Sequence, residues 1–361
     1  MRMESTLAAV EGSEGAPLGV HRLAPGDAAG AARWDAFVAG CPAASFCHRA
    51  GWQRVVGEVF GHPTYFLYAE RAGTIEGVLP LGHVNSRLFG NALVSLPFAV
   101  YGGVAATSEA AADALEAEAQ ALARQLGVDH LELRNTQPRH ADWPTQDLYV
   151  TFRKPLAPTV EANMLAIPRK QRAMVRKGIA NGLVSTIDAD SRRFFALYAD
   201  NVHRHGTPAL PKHYFDALLE IFGDACEVLT VEDARGRPLS SVLSFYFRGG
   251  VLPYYAGDDA AARETAANDF KYWELMRRAC ERGITSFDFG RSKRGTGSYA
   301  FKKNWGFEPE PLFYEYCLYR RDSIPQNNPN NAKYKLLIEA WRRMPLWLAN
   351  RLGPSIVRNL G

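Results

Sequence analysis

The sequence contains no Cys-x-x-Cys pair, and its five cysteines (Cys41, Cys47, Cys226, Cys280 and Cys317) are scattered and odd in number. That argues against a zinc site and a disulfide framework and fits reduced thiols, so the cytoplasm is the expected compartment. His203-x-His205 with His213 resembles part of a metal set, but no acid or cysteine motif accompanies it, and no metal is expected. Nowhere do eighteen apolar residues run unbroken, which excludes a membrane-spanning helix. A Gly-x-Ser-x-Gly elbow is missing, which removes support for a serine hydrolase. The glycine-rich stretch 290–298 lacks the Gly-Lys-Ser/Thr ending of a Walker loop. There is no RRM-type aromatic signature, and no DNA partner is expected.

Acidic residues are missing from two stretches. Residues 162–187 carry five basic side chains and no acid, and residues 289–307 carry five more. Removing those ten from the 42 leaves 32 basic against 38 acidic residues, a net of −6. A mildly acidic body with two cationic segments reads either as two solvated faces or as a single surface for a polyanion. The second reading places Arg169, Lys170, Arg172 and Arg176 beside Arg291, Lys293 and Arg294 as ligands of phosphate or of an anionic substrate.

What is present is enough chain for two or three domains: 361 residues, 47% of them hydrophobic. Residues 1–19, rich in Ala, Gly, Glu and Ser, read as a disordered lead-in. The remainder looks duplicated. Strand-like runs at Tyr65-Phe-Leu-Tyr and Gly77-Val-Leu-Pro-Leu precede an Ala-rich helix that steps through Gly127 into another strand. Runs at Cys226-Glu-Val-Leu and Ser241-Val-Leu-Ser-Phe precede a helix that steps through Gly283 into Phe287-Asp-Phe-Gly290. The two glycines stand 156 residues apart, a domain-sized period. The expected units are therefore 20–155 and 156–320, joined near the prolines of Lys154-Pro-Leu-Ala-Pro158 and followed by a helical tail, 321–361.

The most informative stretch is Asp288-Phe-Gly-Arg-Ser-Lys-Arg-Gly-Thr-Gly-Ser-Tyr-Ala-Phe-Lys-Lys-Asn-Trp-Gly-Phe307. It is a strand end, then a loop whose glycines permit close backbone approach, then an aromatic segment. Together with Pro168-Arg-Lys-Gln-Arg and Asn268-Asp-Phe-Lys-Tyr-Trp273, it resembles the FemAB-related proteins associated with the exosortase/PEP-CTERM system. These lie within the Fem-type aminoacyltransferases, a branch of the GNAT-like acyltransferases. The resemblance spans roughly residues 20 to 360 and is most specific in the second half. It implies an α/β (α+β) fold of two tandem GNAT-like domains, each a twisted mixed sheet flanked by helices. It also implies N-acyl transfer to an amine in cell-envelope or exopolysaccharide assembly. The donor is a co-substrate, aminoacyl-tRNA or acyl-CoA, with no tightly bound cofactor, and tRNA is then a partner. The family's Phe-Lys pair falls on Phe301 and Lys302. The loop expected to hold the pyrophosphate of an acyl-CoA, Arg263-Glu-Thr-Ala-Ala-Asn-Asp269, has the arginine but no glycine.

Aminolysis needs a neutral amine, an oxyanion stabiliser and a path for a proton. Lys302 suits the developing negative charge. Asp288 reads as the group that orients or deprotonates the amine, or else as a salt bridge or cap at a strand end. Tyr299 reads as an oxyanion donor or as packing beside Phe301 and Trp305. The competing class is a catalytically inactive phosphate- or RNA-binding scaffold. Residues 331–361, with six basic residues, one acid (Glu339) and two tryptophans, suit either a helix closing a core or a peripheral contact with the inner membrane.

Overall fold

A computed structural model describes residues 16–86, 89–325 and 332–359, the last segment from residue 338 onward with side chains. Most of the expected lead-in lies outside the described residues, and the chain is already a strand at Gly19–Leu23.

Two mixed sheets form the body. The first runs, edge to edge, Gly19–Leu23, Thr64–Arg71, Thr74–Ser86, Gly90–Ser95, His130–Asn135, Phe313–Leu318 and Thr145–Gln146. The second runs Ser292–Lys293, Tyr149–Pro155, Ser286–Asp288, Gly250–Asp258, Pro238–Phe247, Cys226–Glu232 and Val184–Asp188. Each is antiparallel apart from one parallel pair, Gly90–Ser95 with His130–Asn135 and Gly250–Asp258 with Ser286–Asp288. A parallel pair needs a crossover, and each is bridged by a long helix, Glu109–Leu126 or Ala267–Glu281. Beyond the helices, Gly127 and Gly283 turn back with φ of 62° and 73°, a region that costs glycine little. The duplicated helix–glycine–strand step is present in both halves.

The boundary expected near residue 155 does not separate the sheets. Tyr149–Pro155 pairs with Ser286–Asp288 in the second sheet, while Phe313–Leu318 pairs with His130–Asn135 in the first. Each half hands its next strand to the other. In this way the outer strand of each parallel pair gains a partner instead of leaving an open edge.

Side-chain alternation divides the second sheet's residues between two cores. Val228, Leu243, Phe245 and Leu252 face a central core shared with the first half, where Phe46 stacks on Phe245 at 4.2 Å and Trp52 lies 5.3 Å from Phe222. Leu229, Val242, Tyr246 and Val251 face an outer core under the helix Ala267–Glu281, with Phe270, Trp273 and Trp305. Arg248 fastens the halves by donating to the carbonyls of Cys41, Pro42 and Ala44.

The tail forms helices Ala332–Arg343 and Leu346–Val357, divided at Pro345, whereas Pro354 sits inside the second. They lie on the helix Arg192–Arg204. His203 donates Nε2 to the Trp341 carbonyl at 3.0 Å, and Gly353 abuts the Ala209 backbone. Arg358 reaches back to the Phe60 carbonyl.

Candidate active site

Ser286–Asp288 lies between the crossing strand Tyr149–Pro155 and Gly250–Asp258. Phe287 and Phe289 point into the outer core, so the alternation turns Asp288 to the opposite face. There Tyr101 OH donates to Asp288 Oδ2 at 2.9 Å, and Thr151 Oγ1 and the Gly290 N–H donate to Oδ1 at 3.2 and 2.7 Å. The two hydroxyls are themselves 2.5 Å apart. Burial pushes the Asp288 carboxyl above its ordinary pKa. The hydrogen bonds and the Arg153 charge oppose that shift without cancelling it.

The carboxyl stands at the wall of a cleft of about 550 Å³ between the halves. Its polar lining includes Tyr101, Arg153, Lys154, Arg248 and Glu310, and Phe46, Phe245 and Phe247 supply an apolar side. Arg153 is paired with Glu310 at 2.6 Å. The cleft is thus assembled from the first half, the crossing strand and the second half.

Lys302 is on the helix Gly297–Asn304, capped by the Thr296 hydroxyl, and is 8% exposed. Its ammonium donates to the carbonyls of Gly290 and Arg291 at 2.9 and 3.1 Å and lies near the rings of Phe152 and Phe289. Those rings belong to the outer core, so Lys302 and Asp288 reach the end of the strand from different faces. Burial pulls the amine's pKa down to about 7, with Asp288 offsetting part of the fall. Two of its donors are occupied by backbone, which makes it a brace for the loop behind Asp288. Phe301 packs against Tyr272 and Trp305, Tyr299 sits edge-on to Phe152 at 5.4 Å, and Lys303 is exposed.

The basic residues do not converge on one surface. Arg291 is folded into the junction, where it stacks over Tyr149 at 4.5 Å and donates to Tyr314 OH at 3.1 Å. Arg294 donates to the Asp147 carbonyl, and Lys293 is half-buried. Arg172 donates to the Leu165 carbonyl, closing the helix Val160–Ala166. Arg169, Lys170 and Arg176 are exposed on the helix Arg169–Ala180, which packs on the outer core through Gln171, bonded to Asp269, and Gly178, set against Phe270. The reason is topological: Arg291 faces the central core and this helix covers the other side of the sheet.

Sequence reasoning missed Tyr101, Thr151, Arg153, Arg248 and Glu310, which come from distant segments. The pair Gly102-Gly103 was the available signal. A Cβ at Gly103 would lie 1.9 Å from Asn135 Oδ1 and one at Gly102 2.7 Å from the Ser95 carbonyl, so the turn that presents Tyr101 requires both glycines.

Residues 166–303 match the acetyltransferase (GNAT) domain model. The crystal structure of FemX is similar over 84% of this chain and 98% of its own, at 14% identity and a TM-score of 0.65. The C-terminal domain of a putative lysylphosphatidylglycerol synthetase from Agrobacterium fabrum aligns with 79% of this chain and 91% of its own, at 14% identity and a TM-score of 0.56. A tandem GNAT protein from the clavulanic acid biosynthesis pathway aligns with 85% of this chain and 100% of its own, at 13% identity and a TM-score of 0.52. The chain has a tandem GNAT-like fold. No curated protein sequence matches it significantly. Among the described residues, no helix of this GNAT-like chain is long and apolar enough to cross a membrane.

Proposed function

We infer that this protein is an acyl- or aminoacyltransferase that acts on an amine, and that transfer takes place in the cleft between the two halves. The observation that carries this reading is Asp288, a carboxyl with a raised pKa, held by neutral hydroxyls at the wall of that cleft. An ionised carboxylate has about four lone-pair positions. At most three are occupied here, because the two hydroxyls also share a hydrogen bond with each other, so it can still accept an amine N–H. The amine nitrogen attacks the donor's carbonyl carbon, and its proton passes to Asp288. As the C–O or C–S bond breaks, Asp288–H returns the proton to the leaving oxygen or sulfur. Lys302 acts at one remove, by fixing the Gly290 and Arg291 carbonyls and hence the loop that follows the base.

The donor this reading favours is an aminoacyl ester. Where an acyl-CoA enzyme would offer free amides to a pyrophosphate, Ala262, Ala266 and Ala267 are buried. Asp269 in the first helical turn is bonded to Gln171 and Trp305, an acid where an anion would have to dock. An acceptor from cell-envelope or exopolysaccharide assembly rests on the family resemblance of the motifs and forms part of the proposal.

The test is an in vitro assay pairing aminoacyl-tRNA or acyl-CoA with a panel of amine acceptors and detecting the new amide by mass spectrometry. Amide formation that Asp288→Asn abolishes while the fold is retained supports the reading. Donor binding with no turnover on any acceptor would instead favour the scaffold class.

A further inference from the structure

The helix Arg169–Ala180 presents an unusual face to solvent. Gln171, Val175 and Gly178 are buried, and Arg169, Lys170, Ala173, Arg176, Lys177 and Ala180 are exposed along one stripe. Among the described residues, the side chains of the four exposed cations have no hydrogen-bond or ion-pair partner, and no acid occurs anywhere in residues 162–187. The same stretch is where the chain leaves aliphatic side chains in water. Of six large hydrophobics exposed among the described residues, four lie in or at the end of it: Leu165 at 66%, Ile179 at 49%, Val184 at 48% and Ile187 at 40%. Leu165 and Ile179 border one edge of the cationic stripe. Arg172, which bonds the Leu165 carbonyl, and Ile179 are about 20° apart around the helix axis at 3.6 residues per turn.

We propose that this face docks on an anionic lipid bilayer, with Arg169, Lys170, Arg176 and Lys177 meeting the headgroup phosphates and Leu165 and Ile179 entering the interface. The pairing of the two side-chain types selects the occupant. Cations alone serve a nucleic-acid backbone, whereas exposed aliphatics beside them recover their cost by leaving water at a membrane surface. The tail is the weaker candidate for such a contact, although it exposes Trp347. Arg342 is bonded to the His205 carbonyl, Arg343 to Glu339 and Arg358 to the Phe60 carbonyl. The basic helix covers the outer core, on the far side of the second sheet from the Phe46–Phe245 stack that borders the cleft, so docking leaves the cleft open. This inference stands independently of the transfer chemistry.

The experiment is co-sedimentation of the full chain with vesicles of phosphatidylcholine alone or mixed with phosphatidylglycerol. Binding is expected only to the mixed vesicles and should weaken with salt. The variant Arg169→Gln/Lys170→Gln/Arg176→Gln/Lys177→Gln should lose at least a hundredfold in partition coefficient, given the contribution of each cation near such a surface. Leu165→Ser/Ile179→Ser, with every charge intact, should lose roughly tenfold. All six positions are exposed, and unchanged thermal unfolding will show that the fold is retained. No binding to mixed vesicles, or binding that neither variant reduces, overturns the proposal. So does an aliphatic variant that partitions like the parent while both bind RNA oligonucleotides more tightly than vesicles, since the face would then serve a nucleic acid.

Discussion

Five residues after Gly127, Glu132 sits on the strand His130–Asn135; five residues after Gly283, Asp288 ends the strand Ser286–Asp288. Glu132 is bonded to Arg134 at 2.7 Å, and that guanidinium also donates to the carbonyls of Leu96 and Ala99. Asp288 receives two hydroxyls and one amide, has no ion pair among the described residues, and borders the cleft. The same step of the same motif thus yields a structural ion pair in one half and an available carboxyl in the other. A carboxylate bonded to a guanidinium is committed to its partner, whereas one held by neutral donors in a half-buried site keeps a raised pKa and can exchange a proton.

The contrast is tested most severely by exchanging the two acids for their amides. Asp288→Asn should lower the transfer rate by roughly 10²–10⁴-fold, the usual scale for a lost general base, with little change in unfolding temperature. Glu132→Gln should leave the rate near that of the parent and lower the unfolding temperature. The reverse pattern in paired kinetics and calorimetry would mean that the two acids do not differ in this way. Next in size is Arg134→Met, which strands Glu132 beside the central core and should cost about 3–5 kcal/mol in urea unfolding. The double variant with Glu132→Gln should recover part of that loss, and a strictly additive result would show that the pair is not coupled.

Lys302, behind the same loop, is tested through pH. Its pKa lies near 7 in the fold, against an ordinary lysine value of 10.5. Between those values the unfolded chain binds the extra proton, so this residue's contribution makes stability rise with pH across the window. Lys302→Met should remove that rise and should reduce turnover less than Asp288→Asn does. Denaturant midpoints from pH 7 to 10 measure the first effect, and identical slopes in parent and variant would contradict it. The smallest expected effect belongs to Tyr101→Phe. Losing one donor to the carboxylate should raise the acidic limb of the rate profile by roughly one pH unit, because the hydrogen bond favours the charged form. A profile that does not move would mean that Tyr101 is not coupled to the ionising group.

The motif that carries Asp288 and Lys302 is continuous in sequence, which is why both could be named as candidates without a structure. The sequence pointed first to Lys302 as the oxyanion stabiliser, whereas the structure ties its amine to two backbone carbonyls. Tyr101 and Thr151 were not, because nothing in their local pattern records that two other segments converge on the same carboxyl. The ten cations show the other side of this. Their segregation is visible as composition, but Arg291 stacks on Tyr149 inside the junction, while Arg169 and Arg176 face water on another layer. Charge along a chain carries no information about which face of a sheet each segment will cover.

Local chemistry alone determined the repeated helix–glycine–strand step, since Gly127 and Gly283 must adopt positive φ wherever the chain then goes. It also determined the alternation that turns Asp288 away from Phe287 and Phe289, and the absence of acids along the helix Arg169–Ala180. Tertiary structure alone decided which sheet would receive Tyr149–Pro155 and Phe313–Leu318. Alternation specifies a strand's two faces but leaves its partner to whichever edge lies open when the halves meet. That exchange carries Thr151 and Arg153 to Asp288, so the candidate site takes shape only once the two halves have been assembled.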